Sequence, residues 1–218
     1  MSFKPYHVYH IFNQGNNREP IFFLERNYYF FLEKMRRHLL PNVHLLAYCL
    51  MPNHFHWLVC VKPIGCELST MVKPSSKIES DHEDRYQQNL SAGIALLLRS
   101  YTRAINVQQG RSGSLFRQRT KCHDGEVNLS VAQLMHRDAG EDDGSHAKIP
   151  YLKANYWQRC FDYIHQNPVD AGMTDFSFDW EFSSAAAYFF GAKQSICDMA
   201  LSQEMGLYDR VQTLVWSN

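Results

Sequence analysis

Two runs decide the fold: Val43-His44-Leu45-Leu46-Ala47-Tyr48-Cys49-Leu50-Met51 and His54-Phe55-His56-Trp57-Leu58-Val59-Cys60-Val61, joined by Pro52-Asn53. Both are densely apolar and short, which suits buried strands, and Pro-Asn is a turn pair, so they predict an antiparallel hairpin. Upstream, the β-prone stretch 6–12 runs into the turn-rich Asn13-Gln14-Gly15-Asn16-Asn17. Glu25–Leu40 reads as a helix: Tyr28, Phe31, Leu32, Met35 and Leu39 recur at three-to-four spacing, and Pro41 ends the run.

Downstream, Pro63–Asn89 loosens into a short helix and an exposed loop with Glu79, Asp81, Glu83 and Asp84. Leu90–Asn106 is helical, 108–114 is a glycine-containing loop, and Leu115-Phe116 resumes the fold. The acidic stretch of about 124–150 reads as an insert with one short helix at Asn128–Arg137. Asn155–Gln166 is a second strong helix, ended by Asn167-Pro168 because proline turns its predecessor away from helical geometry. Strands and helices interleave without regular βαβα spacing, so the class is α+β. The organisation expected is one domain over 1–190 with a C-terminal tail, 191–218.

The charge looks uninformative at first: 22 Lys+Arg against 22 Asp+Glu in 218 residues, with 11 His. Its distribution is not. Residues 1–121 hold 16 basic and 8 acidic residues, net +8, and residues 122–218 hold 6 and 14, net −8. Between Arg99 and Lys121 there are six cations and no acid: Arg99, Arg103, Arg111, Arg117, Arg119 and Lys121. Guanidinium groups beside a Gly/Ser loop suit phosphates, and Tyr101 and Phe116 would stack bases; Arg18 and Arg26 are weaker additions. An ordinary solvated face is the plainer reading, less comfortable with six like charges. No window approaches the roughly 20 apolar residues of a membrane span. Six scattered Cys without a C-x-x-C pair, and an N-terminus without an apolar leader, fit a reduced, cytoplasmic protein.

Two further patterns carry chemistry. On a strand, residues i and i+2 share a face, so His54 and His56 point the same way and can share one cation such as Zn, Mn, Fe or Ni. Alone, an H-x-H pair more often merely packs or meets water; starting a very apolar strand after a turn, it is less easily dismissed. On a helix, Tyr163 and Asn167 are i,i+4 neighbours. The tyrosine oxygen is a nucleophile once a neighbouring cation or base activates it, and Asn167 can offer its carbonyl oxygen to the same cation. The plainer alternative is a capping Asn before Pro and a Tyr wetted at its hydroxyl.

Three blocks together resemble the REP-associated tyrosine transposases of the HUH (His-hydrophobic-His) single-tyrosine superfamily. They are Tyr48-Cys49-Leu50-Met51-Pro52-Asn53-His54-Phe55-His56-Trp57-Leu58-Val59, then Gly113-Ser114-Leu115-Phe116, then Tyr163-Ile164-His165-Gln166-Asn167-Pro168-Val169-Asp170-Ala171-Gly172. Trp180-Glu181-Phe182-Ser183-Ser184 is a weaker fourth. The resemblance implies a ferredoxin-like core whose central antiparallel sheet carries the His pair. It implies His54, His56 and Asn167 as ligands of a divalent metal ion (Mg²⁺ or Mn²⁺) and Tyr163 as nucleophile. The implied activity is nicking and joining of single-stranded DNA near hairpins through a 5′-phosphotyrosine, by a monomer or homodimer. The chain departs from the pattern at Asn13-Gln14-Gly15, where relatives carry Asn-Arg-Gly, in its acidic insert, and at Asp170, where relatives often carry a base. Two rivals stand beside this reading: a domesticated, non-catalytic nucleic-acid-binding protein of the same fold, and a metallo-phosphoesterase using the His pair.

Overall fold

The computed structural model describes residues 2–69, 87–124, 151–191 and 195–208. The expected acidic insert, its short helix at Asn128–Arg137 and the loop acids from Glu79 to Asp84 lie outside these residues. In chain order the main elements are β1 (Val8–Gln14), α1 (Glu25–His38), β2 (Val43–Met51), β3 (His54–Val61), α2 (Asn89–Gln108), β4 (Lys121–Asp124), α3 (Tyr151–Asp170), α4 (Ala185–Phe190) and α5 (Met199–Glu204). Between β3 and α2, a single helical turn at Pro63–Cys66 precedes a small ladder of Leu68–Ser69 against Gln87–Gln88.

The hairpin forms as the sequence predicts, with Met51 opposite His54 across Pro52-Asn53. β3 pairs antiparallel with β1, and β1 with β4, giving the order β2-β3-β1-β4. The molecule is therefore α+β, with this four-stranded antiparallel sheet between helices.

The alternation of β3 sorts the helices. Phe55 and Trp57 point to one face, where they meet Phe31 of α1. Tyr101 of α2 stands edge-on to Phe31, with ring centroids 4.9 Å apart. Both helices supply an apolar stripe at helical spacing: Tyr28, Phe31, Leu32 and Met35 on α1, and Leu90, Ile94, Leu97, Tyr101 and Ile105 on α2. His54 and His56 point to the other face, over which α3 packs along β2 and β3.

Helix α3 runs through Pro168 to Asp170, beyond the end expected at Asn167. Proline is tolerated because only the last turn follows it, so a single helical hydrogen bond is given up. The stop is made later. Met173 N–H reaches Pro168 O at 2.9 Å and Gly172 N–H reaches Val169 O at 2.8 Å. Gly172 takes a positive φ of 65°, the left-handed turn that a residue without Cβ enters freely.

The outer edge of β2 is covered by the Trp180–Ser184 segment. Leu50 N–H donates to Phe182 O and Ser184 N–H to Tyr48 O, each at 2.9 Å, and Trp180 Nε1–H donates to Leu50 O at 3.0 Å. An edge paired in this way no longer offers free strand groups to another chain. The register shift between Leu45 and Ala47 turns further carbonyls outward. Leu45 O accepts from Asp198 N–H at 2.7 Å, and Leu46 O accepts from the Tyr188 hydroxyl. Residues 195–208 are thereby tied to β2, with Leu201, Met205 and Leu207 buried. The local sequence from 191 is polar enough to read as a tail, but the few apolar residues of 195–208 close over β2. No helix of the described residues is long and apolar enough to cross a membrane.

Candidate metal and tyrosine centre

The hairpin and α3 bring the predicted residues together. The rings of His54 and His56 lie 5.0 Å apart and nearly perpendicular. Tyr163 presents its ring 5.4 Å from that of His56, and it is 48 % exposed. Asn167, one helical turn on, is buried, with Oδ1 3.2 Å from His54 Nε2. His165 projects elsewhere, and its Nε2 meets Ser184 Oγ at 2.7 Å.

The hydrogen bonds orient the two amides toward His54. Asn53 Nδ2–H donates to Arg18 O at 3.2 Å, which turns Asn53 Oδ1 to His54 Nδ1 at 2.6 Å. Both ring nitrogens of His54 face an amide oxygen, Nδ1 at 2.6 Å and Nε2 at 3.2 Å; the shorter contact favours the proton of a neutral ring on Nδ1, the tautomer that leaves the Nε2 lone pair toward Asn167. Burial holds the His54 pKa below its usual value, partly opposed by the contact with Asn167. Asn167 Nδ2–H donates to Tyr163 O at 3.0 Å, so its Oδ1 is the atom facing His54. In the Nδ1-protonated tautomer the Nε2 lone pair of His54 faces this oxygen, and in the other tautomer Nε2–H donates to it.

The Nδ1-protonated arrangement is complementary to a cation. Neighbouring donors on an ion with bonds of ~2.1 Å stand about 3 Å apart, close to the observed separation. His56 supplies a further imidazole. Its Nδ1 lies 2.9 Å from Nε2 of His10, and both rings are buried. Burial, reinforced by mutual repulsion among the imidazoles, holds both pKa values well below the usual range. All three rings are neutral near pH 7, as nitrogen ligands must be. The donor set of His54, His56 and Asn167 therefore fits a divalent cation. Among the described residues, no group of three or more His, Cys, Asp or Glu is arranged to hold a metal, so a set of His54, His56 and Asn167 would include an amide oxygen.

His10 was not singled out by sequence reading. It belongs to a β-prone run, and nothing local marks it. Only the pairing of β1 with β3 brings it to His56. The same pairing places Phe12 opposite His56. Phe12 in turn faces Lys121 on β4, whose Nζ lies 5.8 Å above the Phe12 ring.

The basic segment gathers elsewhere. Arg99, Arg117 and Arg119 line a groove of about 940 Å³ between α2 and the loop before β4. Its floor includes Ile11 and Asn13, which alternate with His10 and Phe12 on β1, so the groove opens on the sheet face opposite the His pair. The two regions meet at the strand end, where Arg117 N–H donates to Gln14 O at 2.9 Å and Gln14 pairs with His54. Arg103 and Arg111 border an adjoining depression. Arg111 is not without a counter-charge, since Glu19 stands 3.8 Å from it. Arg26 is exposed on the first turn of α1.

Two expected base-stacking residues are corrected. Tyr101 is wholly buried, with its hydroxyl donating to Ile21 O at 2.8 Å. Phe116 is buried against Tyr101 and Phe55. Both are core residues, and neither presents a ring face to a base. Their apolar spacing marked them as aromatic, but burial follows from how α2 and the loop close on β3.

This fold has a solved counterpart. Over 90 % of this chain and 87 % of the other, it superposes with a TM-score of 0.51 on a REP-associated tyrosine transposase solved bound to a REP hairpin. The two share 12 % sequence identity, so the likeness is one of fold. No family model and no curated protein matches the sequence.

Proposed function

We propose that this protein cleaves and rejoins single-stranded DNA, with Tyr163 as nucleophile and a divalent cation on His54, His56 and Asn167. The carrying observation is the convergence of His54 Nε2 and Asn167 Oδ1, 3.2 Å apart, beside a half-exposed tyrosine. The βαββαβ order of β1 to β4 with α1 and α2, in sheet order β2-β3-β1-β4, agrees with a ferredoxin-like core. The solved transposase of similar fold supports a nucleic acid as the ligand.

A bound Mg²⁺ or Mn²⁺ would supply Lewis acidity toward a phosphate oxygen. The chain's own residues do the rest. The backbone of α3 holds Tyr163 and Asn167 one turn apart, so nucleophile and ligand move together. Tyr163 Oη attacks phosphorus; the Oη–P bond forms, the P–O3′ bond breaks, and the leaving oxygen takes up a proton as a free 3′-OH. The phenol proton passes to solvent, which reaches the exposed side of Tyr163. The product is a 5′-phosphotyrosine, whose retained ester energy lets a 3′-OH reverse the step without ATP. Arg117 and Arg119, with Arg18, Arg99, Arg103, Arg111 and Lys121, grip the strand on either side of the shared rim.

The test is incubation with fluorescent single-stranded hairpins and Mn²⁺, followed by a denaturing gel. Wild type is expected to give a covalent protein–DNA band that Tyr163→Phe abolishes. A band that survives in Tyr163→Phe refutes the nucleophile. Absence of any band from the wild type leaves a non-catalytic binding protein as the better reading.

A further inference from the structure

His56 has two ring nitrogens, and only one can be free for a cation. Its Nδ1 lies 2.9 Å from His10 Nε2, and the two residues are 5 % and 7 % exposed, so water is a poor substitute partner. Two imidazole nitrogens at this distance share one proton. If His10 Nε2–H donates, neutral His56 carries its own proton on Nε2 and cannot be a ligand. If His56 Nδ1–H donates, His56 Nε2 keeps its lone pair. The bond to His10 therefore decides which nitrogen of His56 is available.

We propose that His10 is a positioning residue: its Nε2 accepts the Nδ1 proton of His56 and holds that ring in the tautomer that presents Nε2 to the cation. The inference rests on the reading of His56 as a ligand. His54 has an equivalent acceptor in Asn53, whose Oδ1 stands 2.6 Å from its Nδ1. Each imidazole of the pair thus has its own acceptor behind it, and metal-binding histidines are generally oriented in this way. The two acceptors differ in kind. Asn53 is locked by its contact with Arg18 O and offers only oxygen. A histidine at position 10 can accept or donate, so the His10–His56 pair has two arrangements, and cation binding selects one.

Three proteins test this: wild type, His10→Gln, whose side-chain oxygen can still accept, and His10→Leu, which cannot. Mn²⁺ affinity is read from the EPR signal of free Mn²⁺, with the thermal melt of each variant as a check on folding. His10→Leu is expected to lose about 10–100-fold in affinity, the usual consequence of removing an outer-shell partner, and His10→Gln to recover most of it. In Mg²⁺-saturated wild type, long-range ¹H–¹⁵N correlations should show His56 protonated at Nδ1. Folded His10→Leu with wild-type Mn²⁺ affinity overturns the proposal. So does a wild-type spectrum with the His56 proton on Nε2, which stands even where His10→Leu fails to fold. Absence of Mn²⁺ binding by wild type overturns the ligand reading and this proposal with it. Intact Mn²⁺ binding and His10 dependence without a DNA adduct refute strand cleavage alone.

Discussion

His165 should make this protein acid-labile in a measurable way. The imidazole is buried between Phe161, whose ring is 4.4 Å away and edge-on, and Tyr188. Its Nε2 is tied to Ser184 Oγ, and burial pushes its pKa down to about 3. In the unfolded chain the value is close to the ordinary ~6.5. Below about pH 6.5 the unfolded state therefore holds a proton that the folded state lacks. Stability is full above that pH and falls as pH drops, the loss ending near pH 3. At about pH 5 the cost is ~1.4 kcal/mol for each of roughly 1.5 pH units, or about 2 kcal/mol from this residue. The assay is urea unfolding at about pH 7.5 and about pH 5, in EDTA, for wild type and His165→Gln. Glutamine keeps a polar contact with Ser184 and does not titrate. The fall in unfolding free energy between the two pH values should be about 2 kcal/mol smaller in the variant. Equal falls in the two proteins would refute the argument that burial keeps His165 neutral.

Tyr163→Phe removes one half-exposed hydroxyl, so its unfolding free energy should stay within about 0.5 kcal/mol of wild type while adduct formation disappears. Asn167→Leu withdraws the amide oxygen from His54 and should weaken Mn²⁺ binding at least about 10-fold by titration calorimetry. Phe31→Ala opens a cavity against Phe55, Trp57 and Tyr101 and should cost about 3–5 kcal/mol in urea unfolding. Arg117→Ala with Arg119→Ala should lower the salt slope of single-strand affinity by about 0.7 for each phosphate no longer neutralised, read by fluorescence anisotropy from low to moderate salt.

The hairpin, the two helices packed beneath it and the shared face of His54 and His56 follow from local patterns. The two-residue and 3.6-residue periods are written in the chain, and Pro52-Asn53 marks the reversal. Tyr163 and Asn167 are legible together for the same reason, as one helical turn. Other features need distant pairings. His10 reaches His56 only through the register of β1 on β3, 46 residues apart in sequence. Asn53 acquires a role only because Arg18 O fixes its amide. The aromatic character of Tyr101 and Phe116 is plain, but whether a ring meets solvent or core is set by what closes over it. The stretch that reads as a tail is likewise structural through its bonds to Leu45 and Leu46.

Charge shows the same division. The sequence determined that the cations concentrate before residue 122. Only the tertiary structure decided that Arg99, Arg117 and Arg119 line one face of the sheet while the His pair occupies the other, the two meeting at Gln14 and Arg117. Composition and periodicity are properties of neighbours along the chain, whereas a site is made by strand register and helix docking. Those depend on burying surfaces far apart in sequence, and no local pattern encodes that outcome.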